Sequence, residues 1–162
     1  MLVTRTISEA AIKAGYRVLV AETHGQAVRG GSTMSHLTYG TNGVDSPLIM
    51  KATADIVLGF EPIETLRALP FLREGDGVVV YSVKPILPLT MRYGAEKYPS
   101  LEEVGRCIAK YSSKVFGLDA VDLAKEAGDD KVANMVMLGA FIKKSELVTL
   151  ETLQQLVKEN FS

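Results

Sequence analysis

Apolar and polar positions recur along the chain with two different periods. Between Leu2 and Ala14, the residues Leu2, Ile7, Ala11 and Ala14 fall near helical spacing, and Gly15 follows as a stop, which predicts a first helix. Short apolar runs read as strands instead: RVLVA (17–21), TMSHLTY (33–39), IVLGF (56–60), GVVVYSV (77–83) and part of VFGLDAV (115–121). Helical spacing returns at Pro62, where proline takes the favoured first position, and Ile63, Leu66 and Leu69 line one face up to Pro70. Ser100 and Glu103 form a capping box for a helix through Leu101, Val104, Ile108 and Tyr111, and a further helical turn runs to Gly128. Residues 131–144 are apolar almost all round, which predicts a buried helix, and Leu150, Leu153, Leu156 and Val157 stripe a last helix from Thr149. THGQAVRGGS (23–32) and KPILPL (84–89) read as loop or extended chain.

Apolar strands separated by helices predict an α/β fold: one domain over 1–162, built as a three-layer, mostly parallel, Rossmann-like sheet with flanking helices. RVLVA, IVLGF and GVVVY are expected to be buried on both faces. Such sheets bind ligands at the carboxyl ends of their strands. That rule nominates the loop 22–32 after RVLVA, Glu61–Pro62 after IVLGF, and Ser82–Lys84 after GVVVY.

Composition removes several classes of function. A formal net charge of -1 without a block of like charges gives no nucleic-acid footprint. The run VANMVMLGAFI (132–142) falls well short of the ~20 residues that cross a bilayer, so no membrane role is expected. No basic stretch followed by an apolar one opens the chain, and the expected location is cytoplasmic. The single cysteine, Cys107, rules out an internal disulfide and a self-contained iron–sulfur or zinc–thiolate site. Lying between Val104 and Ile108, it is expected to be a core thiol, with Met135 and Met137 as packing residues. No metal-ligand spacing and no nucleophile elbow is present, so neither a metal site nor a catalytic residue is assigned.

The polar loop carries the candidate chemistry. Arg29, Gly30, Gly31 and Ser32 offer a fixed cation, two residues free to take positive φ, and a hydroxyl, a set able to hold a carboxylate or phosphate. The same residues also suit a tight turn with Arg29 in an ion pair. His24, between Thr23 and Gly25, offers a general base or a loop hydrogen bond. His36 lies inside a strand pattern, where it packs or hydrogen-bonds. Glu22, at a strand end, could take a ribose hydroxyl, as acidic residues do in dinucleotide folds, or make a surface or interface contact. Glu61 and Pro62 are the further ligand-side candidates.

In combination, ETHGQAVRGGSTMSHLTYG (22–40), SPLI (46–49), ADIVLGFEPIETLRALPFL (54–72) and NMVMLGAFIK (134–143) resemble the γ-type domain of 2-oxoacid:acceptor oxidoreductases. The HG…RGGS loop, the strand containing Ser-His and the following SPLI are most similar to the indolepyruvate:ferredoxin oxidoreductase branch, in its small β subunit. Pyruvate and 2-oxoglutarate branches usually carry a YGPE…RGG loop.

The resemblance implies a subunit rather than a complete enzyme. Enzymes of this family convert a 2-oxoacid and coenzyme A to acyl-CoA and carbon dioxide and pass electrons to ferredoxin. The chain has no cysteine array and no GDG…N thiamine-diphosphate motif, so thiamine diphosphate, Mg and the iron–sulfur clusters are expected on a large catalytic partner subunit. Ferredoxin is then reached through the complex, and coenzyme A is a candidate contact. The loop residues Glu22, His24, Gly25, Arg29, Gly30, Gly31 and Ser32 are expected to line the partner interface near the reaction centre.

One departure is plain. Members of the family begin with a β-strand and a GxGGQG-type turn ahead of the first helix, whereas Met1 coincides with the start of that helix. The expected consequence is a sheet with exposed apolar faces and unpaired edges, which makes the chain poorly soluble or recruits a replacement strand, for example by domain swapping or dimerisation; the alternative is that the large subunit covers the gap. The competing expectation is a stand-alone nucleotide- or anion-binding α/β module, or a non-catalytic docking scaffold.

Overall fold

The computed structural model describes residues 2–24, 32–87 and 97–161. Helix α1 (Leu2–Lys13) stops where its sequence dictates. Gly15 adopts a φ of +86°, and the N–H groups of Tyr16 and Gly15 donate to the carbonyls of Ala11 and Ile12, the paired bonds of a Schellman motif. Strand β1 (Arg17–His24) follows and pairs antiparallel with β2 (Thr33–Gly40), in register from Arg17↔Gly40 to His24↔Thr33. Strands β3 (Ile56–Gly59), β4 (Gly75–Ser82) and β5 (Ser112–Leu118) form a separate parallel sheet in that order.

Helices α2 (Pro62–Ala68), α3 (Leu101–Ala109), α4 (Ala120–Glu126), α5 (Ala133–Ser145) and α6 (Leu150–Phe161) complete the elements. Single 3-10 turns lie at Leu69–Phe71 and Asp130–Val132.

The parallel sheet is flanked by helices on both faces, the α/β arrangement the sequence predicts. Val57, Val79 and Tyr81 pack on one face against Leu69, Leu72 and the α3 residues Val104 and Ile108. On the other face Val80 meets Ala120 of α4 and Met137 of α5. Alternation along β4 sends neighbouring valines to opposite layers, and both are fully buried. A further cluster joins Val3 and Ile7 of α1 to Leu138, Phe141 and Ile142 of α5 and Leu153 of α6.

Four sequence expectations are corrected. RVLVA does form a strand, but in an antiparallel hairpin rather than the parallel sheet, and Val20 is 41% exposed. The connection 25–32 explains this, because a parallel crossover needs about a dozen residues or more and a hairpin needs few. Cys107 is exposed on α3, not in the core. Val104 and Ile108, one turn apart, take the buried face, and Cys107 sits a helical step off it. Tyr111 falls beyond α3 and is exposed. Helix α5 buries Met137, Leu138, Phe141 and Ile142 and leaves its Lys143–Lys144 end in solvent, so it is buried along one side only.

Among the described strands, the two sheets are not hydrogen-bonded to each other. Among the described residues, β2 pairs with β1 on one edge and β3 with β4 on one edge, and the other edges of β2 and β3 line a single cavity of about 870 Å³. Val3 and Ile7 of α1 and Phe141 of α5 also line it. This opening separates the hairpin from the parallel sheet.

Candidate functional site

The carboxyl ends of β3, β4 and β5 bring together the turns that the sequence nominates. At the end of β3, Gly59 permits a close approach to α2, because a Cβ there would lie 2.8 Å from Cβ of Thr65. The chain then turns through Phe60 to Glu61, which is the N-cap of α2 with Pro62 in its first turn. Glu61 is buried, at 7% exposure. One carboxylate oxygen accepts the N–H of Glu64 at 2.9 Å, and the other accepts the phenol of Tyr98. Thr65 Oγ1 donates to the Glu61 carbonyl at 2.7 Å, so the residue is fixed at backbone and side chain alike.

Glu64 faces the start of β2. It accepts the hydroxyl of Ser32 through one oxygen and the Arg67 guanidinium through the other. The loop 22–32 and the turn Glu61–Pro62, nominated separately from sequence, therefore meet at α2 through Ser32. The remaining nominated residues distribute differently. Glu22 lies on β1 opposite Ser35, whose hydroxyl donates to it at 3.4 Å. His24 is the last residue of β1, opposite Thr33. Gly25, Arg29, Gly30 and Gly31 lie outside the described residues.

After β4, Ser82 Oγ accepts the N–H of Lys84 at 3.4 Å. Lys84 Nζ reaches 3.6 Å from Asp119, which caps α4, and 3.9 Å from Asp122. Asp119 is held below the usual carboxylate range, chiefly by the Asp122 N–H it caps, with Lys84 adding to the effect. Tyr98 moves the other way. Desolvation, then the hydrogen bond to Glu61 and its negative charge, push the phenol well above its usual value of 10.0. Glu61, Glu64, Lys84 and Asp119 are thus each engaged by another group of the chain. Among the described residues no cluster of three or more His, Cys, Asp or Glu is placed to hold a metal. The hydroxyl of Ser32, the described part of the anion-loop candidate, is turned to a carboxylate.

Tyr98 was not nominated from sequence. It stands in AEKYPS (95–100) as an aromatic in a polar stretch before a helix cap, and nothing local names a partner 37 positions away. His36 has a structural duty. Its Nδ1 accepts the N–H of Ile49 at 3.2 Å, and its ring meets Phe71 edge-on at 5.1 Å. Thr38 Oγ1 also donates to the Ser46 carbonyl at 3.0 Å. The Ser-His strand, SPLI and the ALPFL segment are therefore one junction, which ties the hairpin to the end of α2.

Comparison with known proteins matches this chain over residues 1–162 to the family described as pyruvate ferredoxin/flavodoxin oxidoreductase. It is 39% identical over 132 residues to the indolepyruvate oxidoreductase subunit IorB of Pyrococcus horikoshii, covering 81% of this chain and 64% of that protein. It is 29% identical over 161 residues to the pyruvate/ketoisovalerate oxidoreductases common subunit gamma of Thermococcus kodakarensis, covering 96% of this chain and 77% of that protein. The matched part thus spans less than two thirds of the length of the indolepyruvate oxidoreductase subunit. In fold it is similar to the crystal structure of the pyruvate oxidoreductase subunit PORC of Thermotoga maritima, with a TM-score of 0.61 at 20% identity over 99% of this chain and 77% of that one. No helix among the described residues is long and apolar enough to cross a membrane. The chain belongs to the pyruvate ferredoxin/flavodoxin oxidoreductase family.

Proposed function

We propose that the chain is the small subunit of a 2-oxoacid:ferredoxin oxidoreductase acting on indolepyruvate or a similar arylpyruvate. The single observation that carries this reading is the 39% identity to an indolepyruvate oxidoreductase subunit, against 29% to a subunit shared by pyruvate and ketoisovalerate enzymes. The overall reaction takes a 2-oxoacid and coenzyme A to acyl-CoA, carbon dioxide and a proton, with two electrons leaving to ferredoxin. Thiamine diphosphate with Mg, and iron–sulfur clusters, supply that chemistry from the large subunit. The donor set of this chain does not fit a cluster, since clusters need several thiolates and this sequence holds one cysteine, exposed on α3.

The role left to this chain is to dock and shape. Exposed apolar side chains support covered surface at two separate places: Ile86, 63% exposed, follows β4 beside Lys84, and Met50, 73% exposed, lines the opening between β2 and β3. The residues of the polar loop, Arg29 above all, are assigned to the contact with the large subunit on their chemistry, with coenzyme A as a candidate contact. To test the reading, the chain is co-purified with its large subunit and acyl-CoA formation is followed with a viologen dye. Turnover of indolepyruvate above that of pyruvate is expected. A complex that prefers pyruvate would overturn the substrate assignment.

A further inference from the structure

Two hydroxyl-to-carboxylate ties converge on the first turn of α2. Tyr98, two residues before the capping box of α3, donates to Glu61. Ser32, immediately before β2, donates to Glu64. The two residues are linked through the backbone of the second, because the Glu61 carboxylate accepts the N–H of Glu64 at 2.9 Å. Hydrogen bonds, joined through the covalent frame of Glu64, therefore connect Tyr98 to Ser32 by way of Glu61 and Glu64, and Arg67 fixes the Glu64 carboxylate. It joins parts of the molecule that are far apart in sequence and share no strand pairing: the approach to β2 on the hairpin and the approach to α3 beside the parallel sheet.

We propose that Glu61 and Glu64 are positioning residues that couple these two approaches, so that the parts of the docking face on either side of the carboxyl end of β3 are presented to the partner as one rigid unit. Burial makes the coupling effective. Glu61 sits at 7% exposure, where a hydrogen bond is stronger than in water and an unmatched carboxylate is costly. Thr65, fully buried, ties the backbone of the same turn through the Glu61 carbonyl, while the Glu64 N–H and the Tyr98 hydroxyl each hold one oxygen of the Glu61 carboxylate. The reach toward a partner rests on the subunit reading above, while the coupling itself belongs to this chain alone.

The test has two arms. In the first, amide hydrogen exchange is measured on the 162-residue chain carrying Tyr98→Phe, which removes one oxygen and opens no sizeable cavity. Exchange should rise about tenfold or more at Thr33–Ser35, which Tyr98 does not touch, as well as near Leu101. Ser32→Ala should produce the reciprocal rise near Leu101, and the double variant should fall short of the product of the two effects. Effects confined to each variant's own segment, or strictly multiplicative ones, would overturn the proposal. Glu61→Gln, which keeps an acceptor for the Glu64 N–H and a polar partner for Tyr98, should restore most of the protection that Glu61→Ala loses. If Glu61→Ala does not fold, the Tyr98 and Ser32 variants carry the arm alone.

In the second arm, binding of the large subunit should weaken about tenfold in Tyr98→Phe at an unchanged number of sites. Coupled exchange with unchanged affinity would overturn the docking role of the coupling. Failure of the unmodified chain to bind the large subunit would instead overturn the subunit reading, with the exchange result still deciding the coupling.

Discussion

Strand β4 and hairpin strand β1 each carry an apolar run and end in different states. In β4 every residue from Val79 to Ser82 is buried, whereas among the described side chains of β1 and β2 only His36 is. Hydrophobicity alone does not separate them, since VLVA (18–21) is an apolar run and Val20 is still 41% exposed. What separates them is neighbours. β4 has a paired strand on each edge and a helical layer on each face. β1 pairs on one edge, and β2 turns its second edge to the opening it shares with β3. A strand is buried by the layers and edges around it, and the same run without them remains half exposed.

The sharpest way to break this comparison is to truncate both regions. Ile108→Ala, which hollows the layer under β4, should cost about 2–5 kcal/mol in chemical denaturation. Val20→Ala in the hairpin should cost about 1 kcal/mol or less. Equal losses would mean that the two regions are buried alike.

Next in size is Arg29→Ala, on the loop between β1 and β2. It should weaken assembly with the large subunit or its turnover by about tenfold or more, for a lost charge-assisted contact of ~1.5–3 kcal/mol. The stability of the chain should stay within about 0.5 kcal/mol. Unchanged assembly and turnover would make Arg29 a turn residue.

A smaller effect concerns pH. The Tyr98 phenol is raised in the folded chain above its usual 10.0, first by desolvation and then by Glu61. The unfolded chain releases that proton near pH 10 while the folded chain keeps it. The stabilisation is therefore complete below pH 10 and is lost as pH rises through the folded value. Stability measured from pH 8 upward should fall more steeply above pH 10 in the unmodified chain than in Tyr98→Phe. Parallel curves would contradict the Glu61 contact.

Local signals were the legible ones. Gly15, the Ser100–Glu103 box and the Glu61–Pro62 start each depend on residues within one turn, and each appears where the sequence places it. The burial of Val104 and Ile108 was legible from spacing, but Cys107 was assigned by proximity to them rather than by its angle around the helix. The hairpin was legible in principle, because the connection 25–32 is too short for a crossover, yet the apolar run invited a buried parallel strand. At the candidate site, Glu61 and Ser32 were nominated as strand-end and loop residues. Their partners were not, because Tyr98 meets Glu61 across 37 positions and Ser32 meets Glu64 across 32, and only the fold closes such distances.

The central claim is that this chain shapes and docks while its partner carries the cofactors. The most direct measurement is turnover of indolepyruvate with coenzyme A, thiamine diphosphate, Mg and a viologen acceptor, first with the chain alone and then with purified large subunit added in steps. The account predicts no dye reduction from the chain alone, and activity that rises with the large subunit and saturates at a fixed ratio of the two. Dye reduction by the chain alone, or full activity of the large subunit without it, would contradict the account.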